Sequence, residues 1–228
     1  MSATIDWKTF DPKRLVYSTQ ATTNRNNGKM IRVEYVDPAT GDRVPIRWQS
    51  PRLKIPFGVS QYPPPGQVSA DQLIKYSLPQ NLTDEDYKAF LEAMDTRNIE
   101  AVLEHQAKWF PGRPPKSKEL VEDAYVPLVK PVQEGKDFPP TTRFKIPVRM
   151  KNVETRFWNE QRQQIAFSDV APHSDAVTIN EISNLWFIQK QWGAQTQVNQ
   201  VKVYSASDRY DSYGIDDEMD VEACQVEE

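Results

Sequence analysis

The stretch Arg143-Phe144-Lys145-Ile146-Pro147-Val148-Arg149-Met150-Lys151 alternates cations with apolar residues. Along an extended strand, successive side chains point to opposite faces. Phe144, Ile146, Val148 and Met150 are therefore expected to line a core, with Arg143, Lys145, Arg149 and Lys151 projecting from the other side. Side chains on one face recur about every 7 Å. That interval is close to the phosphate spacing of an extended single strand, so such a row can track a polynucleotide backbone. The same alternation also suits an ordinary solvated strand face.

Aromatic residues lie among further cations. Phe157 and Trp158 fall between Arg156 and Arg162. Trp186, Ile188, Lys190 and Trp192 are expected on one face of a strand, with Leu185 and Phe187 on the other; Trp186 is expected in the core and Trp192, beside a lysine, at the surface. An exposed indole stacks on a nucleobase with a gain of roughly 1–3 kcal/mol. A second cluster comprises Arg43, Arg47, Trp48, Arg52 and Lys54, with no acid after Asp42. Pro45 and Pro51 make it an edge or loop element, where cations also serve to block aggregation. Lys202 and Tyr204 share a face near the end of the last strand. The candidate nucleic-acid-binding residues are thus Arg143, Lys145, Arg149, Lys151, Trp158, Lys190, Trp192, Lys202, Tyr204, Arg47, Trp48, Arg52 and Lys54.

Catalytic chemistry finds little material. His173-Ser174-Asp175 places a histidine near a carboxylate, but a turn after Pro172 explains it more simply. There is one cysteine, Cys224, in a polar tail, and two histidines, His105 and His173, so neither a disulfide scaffold nor a cysteine zinc site is expected. No phosphate-binding loop, dinucleotide glycine pattern or zincin pair occurs. The expectation is a protein without enzymatic activity and without a cofactor.

The net charge of −4 conceals an asymmetry: residues 208–228 carry nine acids and one base, a charge of −8, which leaves +4 on residues 1–207. Few apolar residues accompany those acids, so the segment is expected to be disordered. Tyr210, Tyr213, Ile215, Met219 and Val221 interspersed among them favour recognition of partners, with Asp216, Asp217, Glu218 and Asp220 as the contact residues. A flexible polyanion also competes with nucleic acid for a cationic surface. No apolar run approaches the roughly 18 residues of a membrane-spanning helix, and the charged start at Asp6 and Lys8 is unlike a secretory signal. A reducing, intracellular location is expected.

Eighteen prolines against eight glycines favour many short, sharply bounded extended segments. Residues 14–19, 29–36, 43–48, 52–57, 125–130, 143–153, 155–167, 176–179, 184–192 and 197–205 read as extended or strand segments. A helical insertion over 83–123 begins at Thr83 as the N-cap, with an interruption at 95–98 and a second short helix over 118–123. The fold class is mainly β with a helical insertion (α+β): an OB-like antiparallel barrel over residues 1–207, followed by the acidic tail.

The ordered series RFKIPVRMKNVETRFWNEQRQQIAFSD, NLWFIQKQWGAQTQVNQVKVYSA and YDSYGIDDEMD resembles the OB-fold single-stranded DNA-binding proteins of short-tailed phages and of large nucleo-cytoplasmic DNA viruses. The resemblance spans residues 143–228. It implies a viral replication or recombination protein, in host cytoplasm or nucleus, that coats single strands without sequence preference. It also implies a tail that contacts replication proteins, and a possible homodimer. A viral structural or protein-interaction module is the alternative that composition allows.

Overall fold

Alternation of apolar and polar residues decides which side of each strand is covered. In the computed structural model, which describes residues 4–24, 27–64, 66–67, 74–132, 135 and 138–204, the chain first forms β1 (Leu15–Tyr17), β2 (Thr22–Thr23), β3 (Lys29–Val36) and β4 (Arg43–Val44). β5 (Ile46–Gln49), β6 (Leu53–Lys54), β7 (Ser60–Tyr62) and β8 (Lys75–Asn81) lead to the helices α1 (Glu85–Trp109) and α2 (Lys118–Asp123). β9 (Tyr125–Val126), β10 (Thr141–Ile146), β11 (Val148–Arg149) and β12 (Asn152–Val153) follow. β13 (Arg156–Trp158), β14 (Gln164–Ile165), β15 (Asp175–Ile188) and β16 (Gln191–Tyr204) complete the series. The protein is mainly β with a helical insertion. The acidic segment, with Asp216, Asp217, Glu218 and Asp220, lies outside the described residues.

The spine of the molecule is the β15–β16 hairpin, antiparallel from Asp175↔Tyr204 to Ile188↔Gln191. The main sheet runs β1-β3-β15-β16-β10-β8-β7. The second edge of β16 takes β9, β10 and β13 in turn, each parallel to it. The sheet is therefore mixed and its path is open, which corrects the expected antiparallel barrel. A tight hairpin forces an antiparallel pair, whereas a long connection permits a parallel one; β9, β10 and β13 all reach β16 through long connections.

Three expected strands are instead strand–turn–strand units; one is 155–167, where β13 and β14 pair antiparallel (Phe157 with Ile165) around a turn with Arg162 at φ 62°. The cation row of 143–153 breaks after Ile146, because Pro147 offers no N–H to a ladder. Beyond it, Val148 pairs with Val153 and Arg149 with Asn152 around Met150 and Lys151, whose φ values are 50° and 67°. Met150 caps that turn with 85% of its surface exposed, not in the core. Residues 184–192 likewise turn at Gln189 (φ 54°) and Lys190.

The helix starts one residue later than expected: Asp84, not Thr83, is the N-cap, its carboxylate accepting the Tyr87 N–H at 2.9 Å. It also runs unbroken through 95–98. Asp95 and Asn98 are buried there because each has tertiary partners. The Asp95 carboxylate accepts the Leu128 N–H at 2.9 Å and the Tyr125 hydroxyl at 2.5 Å, and Asn98 Oδ1 accepts the Tyr17 hydroxyl at 2.9 Å. These contacts bolt the helix to the segment that follows α2, through Asp95, and to β1, through Asn98.

Trp48 belongs to the core. It is fully buried, donates Nε1–H to the Tyr87 hydroxyl at 2.9 Å, and meets the Phe90 and Phe144 rings edge-on at 5.5 and 5.8 Å. On β5 Ile46 and Trp48 are buried while Gln49 is exposed, so period-two alternation sends the indole inward, whatever its cationic neighbours. Replacing Trp48 with Phe keeps most of the ring and removes one buried hydrogen bond. The expected cost is about 1–2 kcal/mol of stability in urea unfolding, with no change in ligand affinity of the folded protein.

Candidate nucleic-acid interface

β10 sorts its side chains cleanly. Thr142, Phe144 and Ile146 are buried, and Arg143 and Lys145 are exposed on the other face. Lys145 stands opposite Ser77 of β8, and period two carries Lys75 to the same side. Lys130 joins them through a bridge between residues 130 and 141. These four cations line a groove of about 690 Å³ between β8, β10 and the outer face of β16, and among the described residues no carboxylate lines it.

The groove exists because β9 meets β16 at Trp192 and Gly193 whereas β10 meets it at Gln197. Between those contacts Ala194, Gln195 and Thr196 line the groove instead of being covered by another strand. Trp186, half-buried, lies across this floor opposite Gly193. A Cβ at Gly193 would sit 3.2 Å from the Trp186 ring and 3.0 Å from the Val126 carbonyl, so the glycine leaves room for the indole. Trp186 Nε1–H donates to the Ala194 carbonyl at 3.3 Å, which fixes the ring's tilt. Tyr62, 64% exposed, stands on the rim.

Electrostatics mark the groove as partly desolvated and crowded with cations. Lys145 reaches solvent, yet protein walls strip part of its hydration; that loss, and then the Lys75 ammonium, hold its pKa below the ordinary lysine value. Lys130 is lowered in the same way, by partial burial first and Arg143 second. An arriving phosphate offsets the lowering, because opposite charge favours the protonated amine.

The other expected site residues divide into groups. Trp158, Lys202 and Tyr204 line a shallow depression farther along the same outward face of β16. Arg52 stacks over the Tyr204 ring at 4.1 Å, and Lys202 lies 5.0 Å from it. Arg52 and Lys54 also pair with Asp175, at 3.2 and 3.6 Å. Arg47 is bound by Glu181, which also accepts from Asn199 at 2.9 Å. Its charge is thus already matched between the groove and the depression. Arg149 and Lys151 are exposed on the β11–β12 hairpin, apart from the β10 row.

Lys190 sits in the β15–β16 turn beside a different cavity. Trp192 is 4% exposed, against the expectation of a surface ring. It stacks on Phe187 at 5.5 Å and donates Nε1–H to the Val121 carbonyl at 2.9 Å, so α2 covers it. The two indoles of the hairpin thus exchange their expected roles: Trp186 borders the cations and Trp192 is sealed. The reading of residues did not single out Lys75, Lys130 or Tyr62, although Lys130 ended an expected extended segment.

Asp175 serves Arg52 and Lys54, and His173 adopts φ 65° in a turn. Among the described residues no three His, Cys, Asp or Glu side chains group to hold a metal ion, and no helix is long and apolar enough to cross a membrane.

No curated protein is significantly similar to the chain. Among solved structures, it is similar to the single-stranded DNA-binding protein from bacteriophage Enc34 in complex with ssDNA, at TM-score 0.41 and 9% identity, over 83% of this chain and 97% of that one. The structure of the Enc34 protein without the strand gives TM-score 0.40 and 10% identity, over 88% and 97%. At this level the likeness assigns neither fold nor function. Sequence similarity reaches further: residues 74–217, more than half of the chain and including every strand of the groove except β7, match a family model, and the chain belongs to that family, the family of unknown function DUF5871.

Proposed function

We propose that the chain binds single-stranded nucleic acid, DNA in the first instance, without sequence preference, along the groove between β8, β10 and β16. The observation that carries this reading is the set of four cations, Lys75, Lys130, Arg143 and Lys145, lining one groove that takes no carboxylate from the described residues. Trp186 on its floor and Tyr62 on its rim supply flat rings beside those charges, the combination that single strands use for backbone tracking and base stacking. No base-edge reader is needed, since cations and rings accept any sequence. The depression around Trp158, Lys202 and Tyr204 extends the same face and would lengthen the contacted strand. Replication or recombination of viral DNA is the role in which such coating is used, with the acidic tail engaging replication proteins.

Titration with oligo(dT) tests the reading. Tryptophan emission is expected to fall on binding, through Trp186, and Trp186→Phe to abolish most of that quenching. With four phosphates neutralised, log affinity should decline with log salt at a slope of about −3. Absence of binding at low salt, or binding indifferent to salt, would sink the proposal. Removing residues 208–228 is expected to tighten binding, because a local polyanion no longer competes for the groove; weaker binding after removal would refute the competition.

A further inference from the structure

On the opposite side of the β15–β16 hairpin a second cavity, of about 100 Å³, opens between the end of α1, α2 and the hairpin turn. Its walls are Phe110, Phe187, Trp192 and Leu120, and Leu120 stands at the lip with 58% of its surface exposed. Arg113, Lys116 and Lys190, all exposed, surround the opening, and among the described residues no carboxylate lines it, although α2 carries three acids. The rim is held in place: Gln106 accepts the Lys116 N–H at 2.9 Å and donates to the Lys116 carbonyl at 3.1 Å.

The aromatic faces here are already occupied. Trp192 has Phe187 stacked on it at 5.5 Å and 10°, and Tyr125 against it at 4.4 Å. Phe187 also takes the edge of Phe110 at 5.0 Å. The Trp192 indole is thus sandwiched by its neighbours and 4% exposed, so it offers no open face for a nucleobase, unlike Trp186 in the groove. The cavity's size suits one aliphatic side chain, and its charge suits a chain of acids on either side of that anchor.

We infer that this cavity docks an acidic segment of a partner protein, which inserts one leucine-sized side chain between Leu120 and Phe187 while its carboxylates meet Arg113, Lys116 and Lys190. A buried apolar anchor ringed by charge complementarity is the arrangement that concentrates binding energy in short peptide contacts. The site is separate from the groove and does not depend on the nucleic-acid reading.

The test uses the full chain and a fluorescein-labelled octapeptide of aspartate and glutamate with a central leucine, followed by anisotropy. Binding is expected to weaken at least about 10-fold when the leucine becomes alanine, and by a similar factor in Arg113→Glu/Lys116→Glu, both surface positions. Oligo(dT) affinity should be unchanged in that variant, which separates failure here from failure of the groove. Leu120→Glu provides a second variant at the lip. The inference is overturned if neither peptide binds, if binding ignores the leucine, or if Arg143→Glu/Lys145→Glu rather than the rim variant abolishes it. It is equally overturned if the peptide binds only after Tyr210, Tyr213 and Ile215 are replaced by serine, since the chain's own tail would then be the occupant.

Discussion

Reversing two charges, Arg143→Glu together with Lys145→Glu, is expected to lower oligo(dT) affinity by at least about 100-fold, or roughly 2.7 kcal/mol. Both side chains point into the groove, and each substitution removes a phosphate contact and installs a repulsion. The salt slope should flatten by about 1.4, two contacts at roughly 0.7 each. All sequences should be affected alike, because a cation facing phosphates carries no base information. Stability should hold, for a structural reason: β10 is anchored by its other face, through Phe144 and Ile146. The variant also dilutes the crowding of Lys145 against Lys75 and of Lys130 against Arg143. Isothermal titration beside thermal unfolding separates the two effects. Unaltered affinity would mean that the row is only solvated.

The second large effect concerns stability. Asp95→Ala is expected to cost about 3–5 kcal/mol, since three buried or half-buried donors, Leu128 N–H, Val129 N–H and the Tyr125 hydroxyl, lose their acceptor at roughly 1–3 kcal/mol each with partial relaxation. The segment they hold carries one wall of the groove and leads to Lys130, so affinity should fall as well. Burial pushes the Asp95 carboxyl up to about 6 from 3.8, against the opposing pull of the Tyr125, Leu128 and Val129 donors.

The folded state therefore binds the proton more tightly than the unfolded chain. Its contribution is fully present below about pH 4 and fades as pH rises through about 6, a swing of roughly 3 kcal/mol. The deficit of Asp95→Ala against the native chain should widen as pH falls from 7 to 4. Asp95→Asn, which keeps one acceptor oxygen and cannot titrate, should be milder and lose that component of the pH dependence. Urea unfolding at several pH values measures all three. A deficit of equal size at every pH would show that folding leaves the Asp95 carboxyl at its ordinary value.

Much of the local structure was legible in the residues. Thr83 and Asp84 with the following acids announced the start of α1, and the spacing of Tyr87, Phe90, Leu91 and Met94 its buried face. The apparent break at 95–98 was misleading because a helix-surface pattern treats Asp95 and Asn98 as solvent-facing. Their partners, Tyr125, Leu128 and Tyr17, lie far away in the chain. Pro147 was visible within the cation row, but the return at Met150 and Lys151 was not, since neither residue type favours positive φ.

By itself the chain's order of residues determined that Arg143 and Lys145 would leave one side of a strand while Phe144 and Ile146 left the other, that a helix would follow the β8 region, and that the terminal segment would be strongly acidic. Those properties depend on period and composition, which are local. Only the tertiary structure decided that Trp48 and Trp192 are sealed, that Trp186 borders the cations, and that Lys75 and Lys130 join Arg143 and Lys145. Alternation names two faces of a strand but not which one another element will cover. That choice rests on where β9 and β10 meet β16 and on how α2 closes over Trp192, contacts between segments that no short window of the chain contains.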